Sequence, residues 1–256
     1  MSQELQKIQN DNIVELINGG DTNAYHLLLI MILNFIQCNP DDTIIYYYPK
    51  SNSRLTEMFL DLLPPNFHRH YTKNLQLEYK PFIPDQKFAI ERNFVDPEWA
   101  YPYQYDFLRN LFKKHFTPKN RPGFYVYISR NSDSKYKRIK NEEDLLKCIR
   151  PLGFKEIVLS ELSVKKQMKV FAEADIILTP HGAGLTHILF SNPELTVFEI
   201  THSNKESKHY WHMAWHFGLD YYRIVAQQDE NSDFIVNPKY ILNILENHPK
   251  IIKKSK

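Results

Sequence analysis

The sequence predicts an α/β protein whose C-terminal half is a mostly parallel sheet covered on both faces. Two observations carry that prediction. From Phe124 onward, short apolar runs alternate with helix-length segments, and the stretch from Thr117 to Gly123 (TPKNRPG) marks a linker before them. Strands separated by helices of this length form parallel sheets with helices on either side. The 256 residues are 43% hydrophobic, with 16 Tyr and 16 Phe, which is material enough for a sizeable core.

The elements follow in order. Ala24 to Ile36 reads as an apolar helix ended by Asn39-Pro40, Thr43 to Tyr48 as a strand stopped by Pro49, and Arg54 to Leu63 as a helix closed by Pro64-Pro65. Residues 66 to 100 carry Pro81, Pro84 and Pro97 among aromatic pieces and read as loops or an irregular edge. Tyr103 to Phe116 is a helix with Phe107, Leu108, Leu111 and Phe112 on its apolar face. Beyond the linker, strands are expected at 124–129, 154–159, 175–179, 196–200 and 221–225. Helices are expected at 142–149, 163–174, 185–190 and 209–217, the last ended by Gly218. Pro238 to Leu245 is a final helix with proline at its start. The domains expected are 1–117, 118–236, and a terminal helical segment, 237–256, packing back on the first.

Composition narrows the function. With 32 basic and 30 acidic side chains the net charge is +2, which lends no support to a nucleic-acid binder. Cys38 and Cys148 form no CxxC pair and no disulfide framework, so a reducing, cytoplasmic setting is the expectation. Met1 to Asn10 is polar, without a secretory hydrophobic region. Leu27 to Ile36 falls well short of the ~20 residues that span a bilayer.

The sharpest motif is Thr179-Pro-His-Gly-Ala-Gly-Leu-Thr186, between the apolar strand Ile176-Ile177-Leu178 and a helix. Gly182 and Gly184, separated by Ala183, allow a tight turn and close approach of backbone to a ligand. N–H groups at such a turn can receive a diphosphate, with His181 and Thr186 adding side-chain hydrogen bonds. The motif lacks the GKS/T ending of a Walker loop and the full GxGxxG fingerprint, and a crowded strand-to-helix turn would also need its glycines. Glu199 closes the strand Thr196-Val-Phe-Glu-Ile. Exposed there, it suits a ribose diol, and a helix-cap or salt-bridge role suits it equally. His209, His212 and His216 share one side of a helix beside Trp211 and Trp215, and read as polar-face histidines next to a packed tryptophan pair, not as a zinc site.

Several separated blocks, in order, resemble glycosyltransferase family 61. They are Tyr127-Ile-Ser-Arg130, Lys137-Arg-Ile139 with Asn141-Glu142, and Gln167, Phe171, Ala174-Asp175, His181-Gly-Ala-Gly-Leu-Thr186, Phe190 and Glu199. The resemblance is clearest over residues 123–202. It implies a GT-B-like fold of two Rossmann-like domains facing across a cleft, and an inverting transfer from a UDP-sugar to an acceptor hydroxyl without a cofactor or divalent metal. It makes Arg130 a diphosphate ligand, since guanidinium offers a fixed fork of charge-assisted donors. Arg138 becomes a second phosphate or base-loop contact, although Lys137 and Lys140 beside it also fit a solvated patch. Asn141-Glu142 matches a helix-entry signature, with Asn capping and Glu favouring the positive end. Gln167 and Phe171 orient and bury the next helix.

Asn23-Ala-Tyr-His26 is similar to the family's first-domain block, but Ile30 stands where relatives often carry an acid. The catalytic base is therefore sought among His26, Asp96 and Glu98, the last two in Val95-Asp-Pro-Glu-Trp99. The alternative is a catalytically inactive nucleotide- or glycan-binding module. The acceptor, whether glycan, protein or small molecule, is open.

Overall fold

The computed structural model describes residues 13–15, 28, 35, 41–48, 54–71, 102–130, 138–202 and 208–252. The chain divides into two compact units, Met1–His115 and Phe116–Lys256. The predicted α/β class is present in both, each with its own parallel sheet.

In the first unit β1 (Ile13–Glu15), β2 (Ile44–Tyr48) and β3 (Phe67–Tyr71) form a parallel sheet in that order. Helix α1 (Arg54–Leu60) links β2 to β3, and α2 (Pro102–Leu111) follows later. Phe35 lies edge-on to Tyr46 and Phe67, with ring centroids 5.2 and 5.0 Å away, and Phe59 meets Phe112 at 5.6 Å. Strand β3, at the edge of the described sheet, falls in the stretch read as loops or an irregular edge. Its residues, FHRHY, lack apolar alternation because Arg69 is used as a polar staple. Arg69 donates to Glu57 at 2.8 Å, Asp61 at 2.9 Å and the Tyr46 hydroxyl at 3.1 Å.

The second unit is built on five parallel strands in the order β5-β4-β6-β7-β8. They are β4 (Tyr125–Ser129), β5 (Lys155–Val158), β6 (Ile176–Pro180), β7 (Thr196–Thr201) and β8 (Asp220–Val225). Every residue of β4, β6 and β7 is buried, as strands covered on both faces must be. Between them run α3 (Glu142–Ile149), α4 (Val164–Glu173) and α5 (His209–His216). The connection after β6 is a 3-10 helix, Ala183–Phe190, over the short helix expected at 185–190. Gly218, at φ 67°, lets the chain leave α5 in a left-handed conformation that a Cβ would strain. Trp211 and Trp215 are exposed on α5 rather than packed together, because Tyr210, Met213 and Ala214 supply its buried face.

The end of the chain corrects the sequence reading. After β8 the short strands β9 (Gln227–Gln228) and β10 (Phe234–Ile235) pair antiparallel, and Phe234 bridges Ile139. Helix α6 (Pro238–Glu246), capped by Asn237 accepting from the Tyr240 N–H at 3.2 Å, packs on α3. Ile241, Leu245 and Ile251 thus enter the second unit's core beside Tyr125, Leu145 and Ile149, instead of forming the separate return segment expected for 237–256. The physical reason is a set of polar fasteners. Arg138 forks onto Asp233, with its Nη2 2.7 Å from Oδ2, and Lys140 pairs with Asp229. Asn141, expected as a helix cap, instead exchanges two hydrogen bonds with the Val236 backbone, at 2.9 and 3.1 Å. Glu142 accepts from the Tyr127 and Ser129 hydroxyls at 2.7 and 2.9 Å, and burial raises its carboxyl above the usual range.

His187, inside the 3-10 helix, is stacked on Phe171 at 5.6 Å and donates from Nδ1 to the Gly184 carbonyl at 3.1 Å. Burial holds its pKa down to about 4 against an ordinary 6.5. The neutral ring stabilises the fold fully above the unfolded pKa, and that stability is lost as pH falls from 6.5 through 4. The loss is on the order of 3 kcal/mol. His187→Gln is expected to flatten this stretch of the acid limb in denaturant titrations run as a function of pH; an unchanged limb would contradict the assignment.

Candidate functional site

The chain enters the second sheet at β4, moves outward to β5, then returns to β6 on the other side of β4. The C-terminal ends of β4 and β6 therefore border a topological switch point, where open α/β sheets receive ligands. Arg130 follows β4 directly, and His181 follows β6 directly. The sequence-predicted residues Arg130, His181, Gly182, Ala183 and Gly184 come together here.

Arg130 donates from Nη1 to the His181 carbonyl. Its guanidinium occupies the space over Gly182, where a Cβ would overlap it. Gly182 itself is extended, with φ 168° and ψ 169°, so its absent side chain serves close approach and not an unusual backbone angle. Gly184 has a milder version of the same reason: a Cβ would come within 2.8 Å of Leu159 Cδ1. Ala183 and Gly184 are half-buried, and as the first residues of a 3-10 helix their N–H groups have no partner within it. One cation and a run of backbone donors thus share one strand-end rim.

Beneath them lies a polar network that the sequence reading only partly foresaw. Glu199, 2% exposed, ends up with both carboxylate oxygens engaged. Oε1 is 2.5 Å from His181 Nδ1, and Oε2 accepts from Arg223 Nε at 3.0 Å. Arg223 also donates from Nη2 to Thr201 Oγ1 at 3.3 Å. The register explains the meeting. Thr179, Glu199 and Arg223 are directly paired across β6, β7 and β8, and Thr201 and Tyr221 lie two residues along on the same face. Tyr221 brings a buried hydroxyl within electrostatic reach of Glu199, short of hydrogen-bond geometry. Burial first, then the Glu199 charge, push that phenol well above its usual value. The rings of Tyr210 and His209, at the start of α5, pack 5.4 and 5.9 Å from the His181 ring.

Three predicted residues are placed otherwise. Glu199 is a buried counter-ion and not an exposed ribose acceptor, because β7 is interior and its end is covered by His181 and Arg223. Arg138 is held by Asp233, whose side chain is 3% exposed, and so fastens the chain end where a phosphate contact was expected. Thr186 is fully buried, its hydroxyl without a hydrogen-bond partner among the described residues, and it does not line the rim. Gln167 does orient its helix, donating to the Leu159 and Leu162 carbonyls at 3.0 and 3.1 Å. His26, Asp96 and Glu98 lie outside the described residues. Arg223 and Tyr221 were missed: a Tyr-Tyr-Arg run reads as an ordinary edge strand until its register against Glu199 is known.

The glycosyltransferase 61 family model matches residues 30–198, a span that takes in the switch point, the glycine turn and β7 up to the residue before Glu199. The chain belongs to glycosyltransferase family 61. Among similar proteins is a β-1,2-xylosyltransferase from Arabidopsis thaliana, 37% identical over 65 residues, covering 25% of this chain and 12% of that protein. An EGF domain-specific O-linked N-acetylglucosamine transferase from Gallus gallus is 29% identical over 94 residues, or 35% of this chain and 17% of its own. The β-1,2-xylosyltransferase RCN11 of Oryza sativa subsp. japonica is 25% identical over 108 residues, 39% and 20% of the two chains. This family-61 chain thus matches a fifth or less of the length of each of these relatives.

The two glycine positions and Arg138 separate site from scaffold. With UDP titrated as a probe of the diphosphate site proposed below, Gly182→Ala, which must displace Arg130, is expected to lose a charge-assisted contact of about 1.5–3 kcal/mol and at least tenfold in affinity. Arg138→Ala is expected to lower thermal stability while affinity for the same probe stays within about twofold of the unaltered chain, since its carboxylate partner is structural. Calorimetric titration paired with thermal melts checks both; the reverse pattern would exchange the two roles.

Proposed function

We propose that this chain is a glycosyltransferase that moves a sugar from a UDP-sugar to an acceptor hydroxyl by direct displacement, with inversion and without a divalent metal. The observation that carries the reading is the Arg130 guanidinium resting over Gly182 at the switch point, beside the N–H groups of Ala183 and Gly184. In this proposal the two parallel-sheet units are the halves of a GT-B-like arrangement, with the first as the acceptor side.

In the transfer, the acceptor oxygen forms its bond to the anomeric carbon as the bond to the diphosphate oxygen breaks, and the electron pair leaves with UDP. Catalysis requires that this charge be better stabilised in the transition state than in the bound donor. Arg130, His181 and the turn amides provide fixed donors for it, which is the electrostatic task a metal would otherwise perform. The proton from the acceptor goes to a base within about 3 Å or one water. His26, Asp96 and Glu98 are the candidates. The names of the xylosyl- and N-acetylglucosaminyl-transferring relatives support sugar transfer. Ile30, where the family resemblance implies an acid, favours a binding module without transfer.

UDP is expected to slow hydrogen exchange at Arg130 and at His181–Gly184 far more than around Cys148. It is also expected to lose affinity in the double variant Arg130→Ala/His181→Ala. Transfer, assayed with a panel of UDP-sugars and acceptors, should survive thorough chelation and fall in at least one of His26→Ala, Asp96→Asn and Glu98→Gln. Uniform protection by UDP would remove the nucleotide site, and transfer restored only by added metal would remove the metal-free mechanism. UDP binding without transfer from any donor would leave the module reading.

A further inference from the structure

We infer that Arg223, acting through Glu199, is the positioning residue that sets the ring of His181, so that Nδ1 carries a proton into the protein and Nε2 faces the diphosphate, to which it donates with the ring protonated on both nitrogens. The inference rests on the proposed diphosphate site for its consequence, but not for its geometry.

His181 stands at the end of β6, tied by its own N–H to the Ile200 carbonyl at 2.8 Å and by its carbonyl to Arg130. Neither tie fixes the imidazole, which can rotate about its side-chain bonds and adopt either tautomer. Glu199 removes that freedom: its Oε1, 2.5 Å from Nδ1, accepts there, so Nδ1 is the nitrogen that carries a proton toward the protein and Nε2 is left facing outward. A carboxylate behind a histidine works only if the carboxylate is itself held. Glu199 is 2% exposed, so water cannot hold it; Arg223 does, through Nε, with Nη2 anchored on Thr201. Among the described residues, Tyr210 and His209 from α5 also pack against the ring, and Tyr221 from β8 turns its hydroxyl toward the same carboxylate. Arg223 also counters the Glu199 charge in a buried place, where an unpaired carboxylate is strongly unfavourable.

The chain is thus arranged as two layers. Arg130, His181 and the turn amides meet the ligand, while Glu199, Arg223 and Thr201 hold His181 from beneath. Such outer partners matter because a donor misplaced by a fraction of an ångström loses most of its value in a preorganised site.

The test reads the ring directly. Heteronuclear NMR of the histidine ring nitrogens in the full ligand-free chain is expected to show His181 as the Nδ1–H tautomer with a strongly downfield proton. Arg223→Ala is expected to give a tautomer mixture, loss of that downfield proton, and UDP binding weakened about tenfold. Arg223→Lys, which keeps the charge but not the fork, is expected to fall between the two. If Arg223→Ala does not fold, Arg223→Lys and Thr201→Val carry the test, each expected to broaden the downfield proton and weaken UDP about two- to fivefold. A His181 that keeps a sharp Nδ1–H signal and wild-type UDP affinity in the folded variants overturns the inference, because a purely structural Arg223 would change stability and leave the tautomer alone. A wild-type chain that fails to bind UDP overturns the proposed function instead, and the tautomer readout, taken without ligand, still decides the role of Arg223.

Discussion

Arg130 and Gly182 cannot be separated: the guanidinium occupies the volume that any side chain at 182 would need. That exclusion ties the end of β4 to the start of the 3-10 helix across the C-terminal edge of the β4–β6 pair, where the strand order reverses. The cation is placed by sterics as much as by charge. Its hydrogen bond to the His181 carbonyl then joins it to the same turn whose N–H groups begin the helix. A phosphate-sized anion at this rim would meet a side-chain cation and backbone donors that need no rearrangement, the condition under which electrostatic stabilisation is most effective.

Below this contact the protein solves a harder problem, the burial of a carboxylate. Glu199 sits within a strand buried throughout, and two partners satisfy it, His181 just past β6 and Arg223 on β8. Replacing one of them leaves the charge without its compensation, so His181, Glu199 and Arg223 rise or fall together. The chain end does comparable work at the periphery. Arg138, Lys140 and Asn141 fasten the segment from Asp229 to Val236, and that fastening lets α6 fill the core beside α3. The residues that resemble a basic phosphate patch in one dimension are therefore the attachment points of the terminal helix.

Legibility in the sequence followed the physics of each element. Strands β4, β6 and β7 are continuous apolar runs because both faces are covered, and the helices between them carry a buried stripe that recurs with helical period. These were readable, as was the turn Pro180-His-Gly-Ala-Gly184, since few roles other than close approach call for glycines after a buried strand. Strand β3 was not readable, because Arg69 and two histidines interrupt the alternation that marks a strand, and their reason for being there is an ion pair with α1. The 3-10 form of Ala183–Phe190 was equally hidden: its residues suit either helix, and the choice reflects how His187 and its neighbours are packed beneath Phe171.

From the residues in order, a reader obtains the α/β class and the glycine turn, because each depends on local pattern or on short spacing; two Rossmann-like halves and Arg130 as a cation for the turn, 51 positions from His181, are what the family resemblance implies. Register and partner choice lie beyond that reach. Whether Glu199 faces solvent or Arg223, whether Arg138 meets a phosphate or Asp233, and whether the last helix serves one half or the other depend on residues from 24 to 95 positions apart. A slip of one residue in pairing would turn Arg223 to the opposite face of its strand. Only the packed sheet selects among those registers, and with them it selects which of the charged side chains touch a ligand and which hold the protein together.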